Sequence, residues 1–208
     1  VREWIAMKVI VTGFTPFGGE KINPSYEAVK TLPDTIQGAE IIKAQLPTVF
    51  GKAPQVLKSL VQTHQPRVVI SVGQAGGRSS ICVERVAVNL RDSRSVDNEG
   101  NCPQDEAIIP QGENAYFSNL PTRTIVQNIL NHGIPAALSY SAGTYVCNDV
   151  MYNILSWRKQ YPDMLGGFIH VPYSTTQAAA IYSPQPSMPI ATIGEGLRLA
   201  IEAVLNSI

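Results

Sequence analysis

Apolar and polar residues alternate with two different periods along this chain. Residues 7–14 (Met7-Lys8-Val9-Ile10-Val11-Thr12-Gly13-Phe14) form a nearly continuous apolar run, the pattern of a strand buried on both faces. Residues 40–46 and 67–73 read the same way, with Pro47 closing the first and Pro66 preceding the second. Between them the period becomes helical. Pro24 stands at the first position of a helix predicted over 25–32, and Val56, Leu57, Leu60 and Val61 line one face of residues 54–64. Further helices are predicted over 122–131, about 145–160 and about 191–207, with short strands at 136–141 and 167–171. Strands alternating with helices imply a mainly parallel sheet covered on both faces, in a single α/β domain.

The middle of the chain breaks this rhythm. Residues 81–90 alternate, with Ile81, Val83, Arg85 and Ala87 set against Cys82, Glu84, Val86 and Val88. That pattern predicts one or two antiparallel strands at a sheet edge. Residues 91–112 are polar and rich in turn residues, and so long a stretch without regular structure points to function. Residues 1–6 precede a natural strand start; they read as an upstream extension or an expression remnant, and no function is assigned to them.

Composition narrows the possibilities. A length of 208 residues suits one domain with a substantial core. Lys+Arg and Asp+Glu are both 16, so the chain lacks the basic excess of a protein that grips nucleic acid by its phosphates. No apolar run approaches the roughly 18 residues of a membrane span. The charged fraction is 15%, below the roughly 25% typical of soluble domains, which suggests surface covered in an oligomer. The three cysteines include no CxxC pair, so neither a zinc ribbon nor a disulfide framework is expected. The start lacks the apolar stretch of a signal peptide, and a cytoplasmic location is the expectation.

Open α/β sheets bind ligands at the carboxyl ends of their strands, which directs attention to a few segments. Gly13 to Gly19 matches neither dinucleotide nor nucleotide phosphate loops; its Phe14 and Phe17 suit a pocket wall or the core equally well. Cys147 follows a strand and a small-residue turn, at the predicted start of a helix. Partial positive charge there lowers a thiol pKa, although a buried structural cysteine is the plainer alternative. Of three histidines, His64 and His132 end predicted helices, where a cation suits the dipole. His170 closes an apolar strand on the sheet edge that should also carry Cys147, which leaves it as the candidate base or else a satisfied core histidine. Glu84 is the one acid in its alternating segment: either an orienting carboxylate for that base, or a surface glutamate paired with Arg85.

Several motifs in order then resemble the pyroglutamyl peptidase I family of pyrrolidone-carboxylate peptidases. They are Thr12-Gly13-Phe14-Thr15-Pro16-Phe17-Gly18-Gly19 with Asn23-Pro24, Val72-Gly73-Gln74-Ala75-Gly76-Gly77-Arg78 and Glu84-Arg85-Val86-Ala87-Val88-Asn89. Asp97-Asn98-Glu99-Gly100, Ser141-Ala142-Gly143-Thr144-Tyr145-Val146-Cys147-Asn148 and Gly167-Phe168-Ile169-His170-Val171-Pro172-Tyr173 follow. The resemblance implies a three-layer α/β/α sandwich with a mainly parallel central sheet and an antiparallel edge segment. It implies a cysteine peptidase that removes N-terminal pyroglutamyl residues without metal or cofactor, commonly as a homotetramer. Carried across by position, Cys147 is the nucleophile, His170 the general base and acid, and Glu84 its orienting group. Phe14 and Phe17 match the aromatic residues flanking the lactam. Asn23 and Gln74 match positions that hold the lactam or its loop, Arg94 a family arginine near the catalytic centre, and Tyr145 and Val146 positions in the substrate pocket.

The chain departs from the family at Tyr145, where Phe is usual, so a hydroxyl must find a partner or water. Ser95 stands where an apolar side chain contributes to the pocket wall in relatives, and Ser174-Thr175-Thr176-Gln177 lacks the usual Pro-Glu. Two other classes compete. A phosphate-using nucleoside phosphorylase-like transferase would cradle its anion on residues 73–78. A catalytically silent binder of pyroglutamyl peptides would keep the pocket without turnover.

Overall fold

The computed structural model describes residues 7–208; the extension expected at residues 1–6 lies outside them. The chain begins with β1 (Lys8–Phe14), α1 (Pro24–Lys30), β2 (Thr35–Ile36), β3 (Ala39–Leu46), α2 (Lys52–His64) and β4 (Val68–Gln74). Its middle supplies β5 (Ile81–Glu84), β6 (Val86–Val88), β7 (Ala115–Phe117), α3 (Thr122–Asn131), β8 (Ala136–Ser139) and α4 (Val146–Ser156), which runs on into a 3-10 turn at Trp157–Lys159. The chain then adds β9 (Leu165–Val171), β10 (Tyr173–Ser174), α5 (Thr175–Ala180), β11 (Ser187–Met188) and α6 (Ile190–Leu205).

Seven strands form the central sheet in the order β2-β3-β1-β4-β9-β5-β8. β3, β1, β4 and β9 run parallel, with β1, β4 and β9 buried almost throughout and β3 only in part. The period of two along β1 assigns its side chains to two cores. Val9 and Val11 join the cluster under α1, α3 and α6, while Ile10 and Phe14 join the one under α2 and α4. Helices on both faces make three layers, the α/β/α arrangement expected.

The reversed segment differs in one respect from expectation. β5 is antiparallel to β9 and parallel to β8, so the alternating segment lies one strand inside and β8 forms the edge. Residues 81–90 divide between two sheets: Ile81–Glu84 are all buried in the main one, while Val86–Val88 pair with β7. The polar stretch that follows Leu90 contains only an isolated bridge between Arg91 and Glu106 before β7.

Candidate active site

Register brings the candidate residues together. His170 on β9 pairs with Gly73 on β4 and with Cys82 on β5, so Glu84, two residues beyond Cys82, shares its face of the sheet. Glu84 is fully buried and His170 is 4% exposed. The His170 Nδ1 lies 2.7 Å from Glu84 Oε1. A carboxylate only accepts, so Nδ1 carries the proton and Nε2 presents a lone pair. Glu84 does not pair with Arg85, whose guanidinium donates to the Ser118 carbonyl. Its second partner is Arg78, which donates to the same Oε1 at 2.9 Å and to the Ser141 carbonyl at 3.3 Å. Glu84 Oε2 is buried without a hydrogen-bond partner among the described residues.

Cys147 is the second residue of α4, and its sulfur lies over Gly73. A β-carbon built at Gly73 would stand 2.7 Å from Cys147 Sγ and 2.8 Å from the Phe168 ring. Gly73 and His170 are register partners on parallel strands, so their side-chain directions share a face, about 4.8 Å apart across the ladder. The sulfur therefore occupies the space beside the imidazole that a side chain at residue 73 would fill. Phe168, two residues before His170, closes the other side with its ring centroid 4.9 Å from the imidazole.

The start of α4 is held firmly. Asn148, fully buried, accepts from Val88 N–H and donates to the Val88 and Leu90 carbonyls. Asp149, also fully buried, accepts from Gly51 N–H at 2.7 Å and from Arg91 at 2.9 Å. Tyr145 is the N-cap residue, and no side chain caps the helix. The first N–H groups are thus free of intrahelical partners, with the positive end of the helix dipole at Cys147.

Burial and the helix end act on the Cys147 thiol in opposite directions. Burial pushes the Cys147 thiol up to about 12 and the Glu84 charge adds to this, while Arg78 and the backbone pull the other way. Removing water from around a thiolate outweighs the partial charge of a helix end.

A cavity of about 330 Å³, whose lining includes none of Glu84, Cys147 and His170, lies between Phe17 and Gly18 on one side and residues 92–96, Thr144 and Tyr145 on the other, with Tyr145 two residues before Cys147. The two phenylalanines divide. Phe17 faces the cavity with its ring 6.1 Å from Tyr145, whereas Phe14 is buried in the core against Phe168, also at 6.1 Å. Exposed Arg94 and Ser95 line the cavity, whereas Val146 is fully buried in the core and outside its lining. The Tyr145 hydroxyl finds its partner in the Val96 carbonyl at 3.1 Å, and its ring meets Phe50 edge-on.

Asn23 and Gln74 brace the surrounding loop. Asn23 caps α1, accepting from Ser25 N–H and Oγ, and donates to the Thr15 carbonyl. Gln74 Oε1 accepts from Gln177 Nε2 at 3.0 Å. Gln177 can present only its nitrogen there, because its oxygen accepts from Ser174 N–H and Oγ in the capping box of α5. Sequence reasoning passed over Gln177, although the Ser-x-x-Gln spacing was a visible signal. It also passed over Arg78 as a partner of Glu84: residues 73–78 served there as a family motif and, in the rival transferase reading alone, as an anion cradle, whereas the guanidinium donates to Glu84.

An acid–imidazole–thiol set on a three-layer α/β sheet, with a helix start under the thiol, defines a cysteine-dependent hydrolase class. The comparisons narrow this: residues 7–207 match the pyroglutamyl peptidase family, and the chain belongs to it. It is 53% identical over 201 residues to the pyrrolidone-carboxylate peptidase of Thermosipho africanus, covering 96% of this chain and 98% of that one. The Enterococcus faecalis pyrrolidone-carboxylate peptidase is 50% identical, with 97% and 94% covered. Among solved structures, pyroglutamyl peptidase I of Bacillus amyloliquefaciens superposes with a TM-score of 0.92 at 45% identity, covering 96% of this chain and 97% of that one. A mutant pyrrolidone carboxyl peptidase from Pyrococcus furiosus gives 0.93, also at 45% identity, with 97% and 100% covered.

Proposed function

We propose that the protein is a cysteine peptidase that hydrolyses the amide bond following an N-terminal pyroglutamyl residue. The observation that carries the reading is the 2.7 Å bond from His170 Nδ1 to Glu84, on the sheet face where the Cys147 sulfur lies over Gly73. Family membership supplies the substrate class.

The roles follow from the atoms. With Nδ1–H donating to Glu84, His170 Nε2 takes the thiol proton as sulfur attacks the pyroglutamyl carbonyl. The carbonyl oxygen becomes an oxyanion, for which the free N–H groups at the start of α4 are donors. The imidazolium then protonates the leaving amine as the C–N bond breaks. Water, deprotonated by His170, releases pyroglutamate from the thioester and returns the proton to sulfur.

The cavity beside Phe17 and Tyr145 suits a compact uncharged ring. A free α-ammonium would lose its hydration against those walls, so an ordinary amino terminus is disfavoured. Phe17, Tyr145 and Arg94 are assigned to this pocket, with Phe14, Asn23 and Gln74 supporting its loop. The reaction as drawn uses no metal or cofactor. Homotetrameric assembly and a cytoplasmic location belong to the same reading; no helix among the described residues is long and apolar enough to cross a membrane. Cys147→Ser and His170→Ala should each lower turnover of a pyroglutamyl amide by at least about 100-fold with the circular dichroism spectrum unchanged. Retained turnover in either variant would overturn the assignment.

A further inference from the structure

We infer that Arg78 is a positioning residue of the reaction, holding Glu84 as an aimed carboxylate and offsetting part of its pull on a proton at His170. The inference rests on the cysteine mechanism above, and it starts from an imbalance at Glu84. That carboxylate is fully buried, yet both of its bonds fall on Oε1 while Oε2 has no partner. A buried carboxylate with so few donors would ordinarily take up a proton. The Arg78 guanidinium supplies the missing opposite charge at 2.9 Å, with a third of its side chain still in water to limit its own desolvation.

The loop between β4 and β5 is built to deliver this side chain. Ala75 to Arg78 make a tight turn closed by the Arg78 N–H to the Ala75 carbonyl. Gly77 adopts φ +85, and Gly76 has the Tyr173 ring packed where a β-carbon would be. Arg78 thereby bridges Glu84 to the Ser141 carbonyl, on the loop that leads from β8 towards Cys147.

The electrostatic consequence has a definite sign. Charged and titratable groups around His170 are Glu84 and Cys82 on β5, Arg78 on the preceding loop and Cys147 on α4. Glu84 alone would favour imidazolium. Arg78 shares the same oxygen, so an imidazolium there would stand within roughly 6 Å of a second cation. Arg78 thereby offsets part of the pull that Glu84 exerts on a proton at His170. The same guanidinium draws the Cys147 thiol down against burial and Glu84.

The test compares wild type, Arg78→Lys and Arg78→Met in two measurements: kcat/KM for a pyroglutamyl amide between pH 5 and 10, and NMR titration of the His170 ring. In Arg78→Met the acid limb and the ring titration both move up by about one pH unit or more, so that activity falls about 10-fold at pH 6 and little at pH 9, with KM nearly unchanged. Arg78→Lys keeps the charge but not the fork, and falls between; it also carries the test if Arg78→Met does not fold. Limb and titration unmoved in these variants, whatever their activity, would overturn the role. The ring titration needs no turnover, so an inactive wild type would count against the peptidase assignment and leave the Arg78 result readable.

Discussion

A β-carbon at Gly73 would stand 2.7 Å from the sulfur of Cys147, closer than folded proteins tolerate. Gly73 therefore makes room for the nucleophile at the penultimate position of β4, within a strand, where glycine otherwise weakens the sheet. The relationship links β4 to α4, and through register it links the sulfur to His170 on β9.

Gly73→Ala should consequently displace Cys147 and the Phe168 ring together. Turnover is expected to fall at least about 100-fold, because misplacement by about 1 Å costs that much. The melting temperature should also drop, since overpacking costs about 1–3 kcal/mol. Near-native turnover in a folded Gly73→Ala protein would show that the sulfur need not rest at this position.

A thiol raised by burial has its own signature. Because burial lifts Cys147 to about 12, alkylation of the free enzyme by iodoacetamide should keep accelerating from pH 7 to beyond pH 10. A plateau near neutral pH would indicate a preformed thiolate. Stability responds in the same range. A thiol that ionises less readily when folded binds more protons in the native state than in the unfolded one. Stability should thus decline as pH rises above the unfolded thiol pKa of about 8.5. Tyr145, likewise raised to about 12 by burial first and by the Asp97 and Cys147 charges after it, steepens the decline further up. Cys147→Ala should flatten the earlier part of that slope.

Much of this site was legible in the chain, and the exceptions are instructive. His170 could be reached by elimination among three histidines, whereas Cys147 and Glu84 kept plainer alternatives until the family motifs were set beside them; strand order put all three candidates at one end of the sheet. The acidity of Cys147 could not be read, because it depends on how completely Gly73 and Phe168 enclose the sulfur. Arg78 was hidden for a related reason. Its partner is set by a turn that folds six residues back onto Glu84, and no periodicity reports that. The edge position expected for residues 81–90 failed because one alternating segment serves two sheets. The short β7, β10, β11 and α5 follow from tertiary contacts, although Ser174 and Gln177 advertised the cap of α5.

Tyr145 offers a test of the pocket wall. Its hydroxyl ties α4 to the Val96 carbonyl in the loop that closes the cavity. Tyr145→Phe removes a bond worth about 1 kcal/mol, and KM for a pyroglutamyl amide should rise about 3- to 5-fold with kcat nearly unchanged. An equal fall in kcat would place the hydroxyl in the transition state instead.

Asp97 holds the same loop from below. Its carboxylate accepts from the Phe50, Glu99 and Asn101 N–H groups and from the Asn101 side chain. Burial alone would raise its pKa, but these bonds together hold it below the ordinary carboxylate value. The associated stability is present above the unfolded pKa of about 3.9 and is lost as pH falls through the lower folded one. Asp97→Ala should lower unfolding free energy at pH 7 by about 2 kcal/mol, measured by urea denaturation. The variant should also lose part of the wild type's stability change below pH 4. Identical urea midpoints at pH 7 would contradict the bracing role.

The central claim is a lactam-selective thiol hydrolysis. It is tested most directly by comparing a fluorogenic pyroglutamyl amide with the matching glutaminyl amide, before and after alkylation of Cys147. The account predicts rapid cleavage of the pyroglutamyl compound, negligible cleavage of the glutaminyl one, and loss of activity in proportion to thiol modified. Absence of cleavage by the folded, reduced protein would contradict it, as would cleavage that survives full alkylation of Cys147.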